Sequence, residues 1–153
     1  MIARLRFVVN LLGIILLAGC GDSTKNDVSK ERLEQMSGGT LKPTVPVSGK
    51  VLVDGVPQSG VDILLYSTTG EGPIANCRTG ENGEYCWSTY TTCDGLPAAS
   101  YLLGFSYVPK QKKNDTGIDV FKEKYGDPMD NYFPLDVLEG MPQVHANFEL
   151  KTN

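Results

Sequence analysis

The sequence predicts an all-β fold: a two-sheet Greek-key sandwich of about seven short strands, with one long loop that carries a short helix. Three observations predict it. From Val45 onward, apolar residues recur with a period of two, the mark of strands with one buried face. Turn signals built from Gly, Pro and Asp interrupt these runs about every 8–12 residues. With 17 Gly and 9 Pro among 153 residues, the chain is better supplied for turns than for long helices.

Apolar residues make up 41% of the chain and charged residues 21%, which suits one soluble domain plus extra segments. The formal net charge of −4 argues against a nucleic-acid partner, since phosphate binding needs a concentrated basic face.

Residues 1–19 stand apart. Arg4 and Arg6 give a positive start, Phe7 to Leu17 is apolar apart from Asn10 and Gly13, and the small residues Ala18 and Gly19 follow. That is the layout of a secretory leader, too short for a comfortable bilayer span. Its removal takes away two of the 14 basic side chains and none of the 18 acids, leaving a side-chain charge of −6. The order Leu17-Ala18-Gly19-Cys20 resembles the lipobox of bacterial lipoproteins. The resemblance implies a diacylglycerol on the Cys20 sulfur, cleavage before Cys20 and acylation of the new amine. One acyl chain holds a protein only marginally, whereas two or three anchor it stably. The alternative is an ordinary cleaved leader with Cys20 as a spare thiol. Gly21 in place of Asp points, by resemblance to enterobacterial sorting, to the outer membrane, although Asp22 follows one place later.

Residues 20–44 read as the lipidated start and a flexible tether. The stretch is polar and ends in Gly38-Gly39 and Pro43. A short fraying helix is expected over Val28 to Met36, because Val28, Leu33 and Met36 are too few for a packed face. A coil of this length reaches roughly 25–30 Å, enough to lift a domain clear of lipid headgroups.

Residues 45–153 form the sandwich. In the first strand Val45, Val47, Val51 and Val53 share one phase. Asp54-Gly55, Pro57 and Gly60 make a hairpin connection to the second, where Val61, Ile63 and Leu65 are in phase. The next pair, Ile74–Thr79 and Glu84–Tyr90, reads as a hairpin across Gly80 to Gly83, with Tyr85 and Trp87 inward. Tyr101, Leu103 and Phe105 mark a further core strand, with Tyr107 in the same phase, and Phe133 to Gly140 an edge strand. Val144, Ala146, Phe148 and Leu150 face inward in the last. Lys110 to Pro134 is the long excursion, with a helical turn or two around Ile118 to Tyr125.

The run Val47-Ser48-Gly49-Lys50-Val51, then Asp54-Gly55-Val56-Pro57 and Gly60-Val61, resembles the opening of carboxypeptidase regulatory-like domains, which have a transthyretin-like (prealbumin-like) fold. Thr79 through Gly83 with Tyr85 resembles that family's hairpin, and Leu96-Pro97-Ala98 with Tyr101 its approach to a core strand. Lys124 to Pro128 and Asn147 to Leu150 look like the corresponding parts of bacterial lipoproteins carrying the domain. Gly80 stands where the family usually has Asp, and Ala99 where it has Gly; both are turn positions.

With Cys20 assigned to lipid, Cys77, Cys86 and Cys93 remain, an odd number for an exported protein. If Thr79 and Glu84 flank the hairpin turn, Cys77 and Cys86 lie opposite each other on its outer phase and form the first choice of disulfide. Pairings of Cys93 with Cys86 or Cys77, and three free thiols, are the alternatives. Zinc fits poorly, because spacings of nine and seven residues differ from the short knuckle it uses.

Catalytic equipment is sparse. His145 is the sole histidine and falls on an outward phase, where a surface role is the simpler reading. The carboxypeptidase zinc site, the transthyretin-like hydroxyisourate hydrolases and the intradiol dioxygenases all require more histidines than this chain has. Asp127, Asp130 and Asn131 form one oxygen-rich cluster, and Asn114, Asp115 and Asp119 another. Such spacing could hold calcium, but neither run follows the EF-hand pattern, and solvated turns are the simpler reading. Lys110, Lys112 and Lys113 read as a solvated loop. Tyr132 and Phe133 are candidate binding aromatics, or plugs for an open end of the sandwich.

The expectation is therefore a non-enzymatic interaction or structural module without a cofactor, anchored to the membrane of a bacterial cell envelope and facing the periplasm or exterior. Its partner would be an envelope protein or polysaccharide. A carbohydrate- or calcium-binding module acting through residues 110–134 is the alternative.

Overall fold

The computed structural model describes residues 29–69, 72–109 and 117–152. The leader, Cys20, most of the tether, Lys110 to Asp115 and Thr116 lie outside the described residues.

The described part of the tether opens on a short helix, α1 (Lys30–Ser37). Ser29 caps its start, accepting the Arg32 N–H at 3.4 Å, and Gly38 closes its end in a left-handed conformation with φ 73°. No residue of α1 is buried. Local capping forms this helix, and no packed apolar face supports it.

Among the described residues eleven strands follow, several of them only two residues long: β1 (Thr44–Val45), β2 (Val47–Val53), β3 (Val56–Pro57), β4 (Asp62–Ser67), β5 (Pro73–Arg78), β6 (Glu84–Cys86), β7 (Leu96–Pro97), β8 (Ala99–Ser106), β9 (Pro134–Val137), β10 (Val144–His145) and β11 (Phe148–Leu150). They build an all-β sandwich. One sheet is centred on β2, with β10 and β11 parallel to it on one side and β6 and β3 antiparallel on the other. The facing sheet is antiparallel, in the order β5-β4-β8-β9. A small β1–β7 pair joins the tether to the body.

The period-two pattern matches the core. Val45, Val47, Val51, Val53, Val61, Ile63, Leu65, Tyr85, Trp87, Leu103, Phe105 and Leu150 are all buried in one cluster. The expected last strand is split into β10 and β11. Between them the Asn147 side chain accepts the Lys50 N–H at 2.9 Å, replacing a ladder bond. The same register on β2 continues across the break, so the inward phase from Val144 to Leu150 survives.

Two expectations are corrected. The segments around Gly80 to Gly83 are not a two-stranded hairpin. The turn forms, with Gly80 N–H donating to the Glu84 carbonyl at 2.7 Å, but β5 pairs with β4 while β6 pairs with β2. The chain crosses from one sheet to the other at this turn. The stretch around Ile118 to Tyr125 is a run of turns, not a helix. N–H groups of Lys122, Lys124 and Gly126 each donate to the carbonyl three residues back, and Lys122 and Glu123 have positive φ, which breaks helical progression.

Candidate functional site

The excursion after β8 closes one end of the sandwich. Asp119 organises it: its Oδ1 accepts the N–H of Tyr107 at 2.7 Å and of Phe121 at 3.2 Å, and its Oδ2 that of Glu123 at 2.9 Å. Phe121 and Tyr125 are thereby set into the core, their rings edge to face at 5.3 Å. Tyr125 also runs along the free part of β8, its carbonyl accepting the Phe105 N–H at 2.7 Å. Asp119, one of the oxygen-rich cluster in the sequence, thus spends its carboxylate on three backbone donors.

Residues 126–131 then fold outward. Asp127 accepts the Met129 N–H at 2.8 Å, and the Asn131 amide donates to the Lys124 carbonyl. Against β4 and the start of β5 this leaves an open cleft of about 800 Å³, lined by Tyr66, Lys122, Glu123, Asp127, Asp130 and Asn131 among others. The Tyr66 hydroxyl donates to the Gly126 carbonyl at 3.0 Å, fixing the cleft floor. Burial and the Asp127 charge raise the pKa of that phenol. Asp127 and Asp130, singled out by the sequence, are both exposed and meet in this cleft. Tyr66 was not legible as its lining, because β4 is far from the excursion in sequence.

Tyr132 and Phe133 part company. Tyr132 is 73% exposed, next to the cleft residue Asn131. Phe133 is half-buried, with ring centroids 5.1, 5.8 and 6.0 Å from Phe105, Tyr125 and Phe148. Of the two roles the sequence offers these residues, Phe133 takes the plug, its ring set among core aromatics. Tyr107 is also half-buried, its hydroxyl accepting from Gln58 Nε2 at 2.8 Å.

The cysteines require a correction. Cys86 is bonded to Cys93, and Cys77 is free. The first-choice pairing of Cys77 with Cys86 fails because their strands belong to different sheets, Cys77 opposite Ile63 and Cys86 opposite Ser48. Cys77 points inward against the core, where burial, reinforced by the Asp62 charge, pushes its thiol up to about 12.

A second polar hollow, of about 300 Å³, lies on the outer face of the β2 sheet. There Ser48 Oγ and His145 Nδ1 are 3.4 Å apart, and Gln143 Nε2 donates to the same hydroxyl at 3.2 Å. Ser48, near the start of β2, is paired on both sides, with His145 and with Cys86. Among the described residues, no group of three or more His, Cys, Asp or Glu side chains could hold a metal ion.

No protein-family model and no curated protein sequence matches the chain. Among solved structures it is similar to BcpA, the major pilin subunit of Bacillus cereus, at 16% identity and TM-score 0.45, over 72% of this chain and 30% of that one. It is similar to the 5-hydroxyisourate hydrolase of Klebsiella pneumoniae at 18% identity and TM-score 0.42, over 71% of this chain and 91% of that one. Transthyretin from Sparus aurata matches at 18% identity and TM-score 0.39, over 69% of this chain and 87% of that one. The chain thus spans less than a third of the pilin subunit's length. These are likenesses of overall shape, and the two-sheet architecture rests on the strand pairing above.

Proposed function

We propose that the protein is a lipid-anchored component of a bacterial cell envelope that displays a non-catalytic β-sandwich as an interaction or structural module. The anchor reading rests on the leader and Leu17-Ala18-Gly19-Cys20, and the carboxypeptidase regulatory-like reading on the residues that form β2, its turn and the crossing at Gly80 to Gly83. The observation that carries the interaction role is the cleft of about 800 Å³ walled by the folded excursion. Its polar groups are exposed and its frame is fixed by backbone bonds, which suits recognition of a partner's surface.

The partner is another envelope component, a protein or a polysaccharide. Photo-cross-linking residues placed at Asp130 and Tyr132 in the full chain test this in intact cells, with Glu149 on the opposite sheet as the control position. Adducts at Asp130 and Tyr132 that disappear with Asp127→Ala are expected, and protein or glycan content of the adduct tells the two classes apart. Equal adduct yield at Glu149, or none at the cleft, contradicts the proposal.

A further inference from the structure

One loop holds the place where the tether meets the sandwich. Residues 87–95 connect β6 to β7, and the Cys86–Cys93 bond closes them. Inside the loop, the Asp94 carboxylate accepts the N–H groups of Thr89, Tyr90 and Thr91 at 2.7, 2.9 and 3.0 Å. Ser88 Oγ accepts the Cys93 N–H at 2.9 Å. On its outer side, the Tyr90 hydroxyl accepts the N–H of Lys42, in the tether, at 3.0 Å. The loop runs directly into β7, whose Leu96 and Pro97 pair with Val45 and Thr44 of β1. Gly95 fits so tightly that a Cβ there would stand 1.8 Å from the Val45 carbonyl oxygen. The disulfide therefore braces both groups that grip the tether: the Tyr90 hydroxyl and the β7 strand.

We propose that the Cys86–Cys93 loop is a redox-sensitive clasp: closed, it fixes the direction in which the tether leaves the sandwich, and opened by a dithiol reductant it frees the tether up to β1. Cys93 is exposed and Cys86 half-buried, so the reductant's thiolate attacks the Cys93 sulfur. The S–S bond breaks, a mixed disulfide forms at Cys93, and Cys86 leaves as a thiolate that takes up a proton. The reductant's second thiol then attacks its own bound sulfur, releasing Cys93 as a thiol and leaving the reductant as a cyclic disulfide. Two electrons pass from the dithiol to the loop. Cys77 does not intercept these steps, since it packs, half-buried, against the core on the other sheet. Val45 and Leu96 are themselves buried in the core, so release stops at β1 and the sandwich stays folded.

Hydrogen exchange read by mass spectrometry on the full chain, before and after dithiothreitol, tests the clasp. Reduction is expected to speed exchange about tenfold or more in peptides covering residues 38–44 and 88–95, with β4 and β8 unchanged. Tyr90→Phe, with the disulfide intact, is expected to speed exchange at Lys42 alone. Unchanged exchange in residues 38–44 on reduction overturns the proposal. Equal acceleration in β4 and β8 also overturns it, since the bond would then staple the whole fold.

Discussion

Gly49 and Ala146 meet backbone to backbone: a Cβ on Gly49 would stand 1.8 Å from the Ala146 carbonyl oxygen. That carbonyl also accepts the Tyr85 hydroxyl at 2.6 Å, and Gly49 pairs directly with Tyr85 across the β2–β6 ladder. The Tyr85 phenol reaches over the glycine to the break between β10 and β11, and the missing side chain leaves it room. Burial, reinforced by the nearby Cys77 thiol, raises the pKa of that phenol.

Gly49→Ala should therefore destabilise the sandwich by about 2–4 kcal/mol, through overpacking against main chain that cannot yield. Urea unfolding followed by Trp87 fluorescence measures it. A loss no larger than that of a typical exposed substitution would show that the sheet can open at this point.

Asp119→Ala should cost about 2 kcal/mol, because three backbone N–H groups lose their acceptor together. Limited proteolysis should then cut within residues 117–126 well before the sandwich unfolds. Asp119→Asn, which keeps one oxygen, should recover part of the loss. Equal protease resistance in wild type and Asp119→Ala would remove Asp119 from its organising role.

The C-terminal segment should loosen in acid. Thr152 donates to Asp54 through its hydroxyl at 2.6 Å and its N–H at 3.2 Å, which holds the Asp54 carboxyl below its ordinary value. A depressed carboxyl contributes stability above its unfolded pKa of about 3.9 and loses it as pH falls through the folded value. The Thr152 amide resonance, followed by NMR, should keep its bonded shift above that pH and lose it only at lower pH. Loss already at neutral pH would rule out this link.

Cys77 should resist alkylation in the folded protein at pH 8 and react quickly in denaturant, since burial pushes its thiol up to about 12. Its linkage runs toward alkali. The folded state keeps the proton that the unfolded thiol loses above about pH 8.5, so stability is full below that pH and falls as pH rises toward the folded value. One fast-reacting thiol in the native, oxidised protein, mapped to Cys77, would contradict its placement against the core.

Most of the core was legible because alternation is local. Val47, Val51, Ile63, Leu65 and Leu103 announce their inward phase within a few residues of chain. What alternation cannot say is which sheet a strand joins. The turn at Gly80 to Gly83 carries the same signals whether its strands pair together or part, so the Cys77–Cys86 pairing followed from a local reading that long-range pairing overrode. The candidate site divided the same way. Asp127 and Asp130 stood out by clustering, whereas Tyr66 joined them only through contacts across the fold. Phe133 and Asp119 look like ligand-binding residues by type, and only packing shows that one plugs the core and the other caps backbone donors.

Everything proposed for the protein's role depends on its being held at a membrane through Cys20. Mass spectrometry of the N-terminal peptide of the native protein, isolated with its lipids, tests that most directly. A peptide beginning at Cys20 and carrying a thioether-linked diacylglycerol with an acylated amine is the expected result. A peptide with an unmodified Cys20 thiol, or one that retains the residues before it, would contradict the anchor.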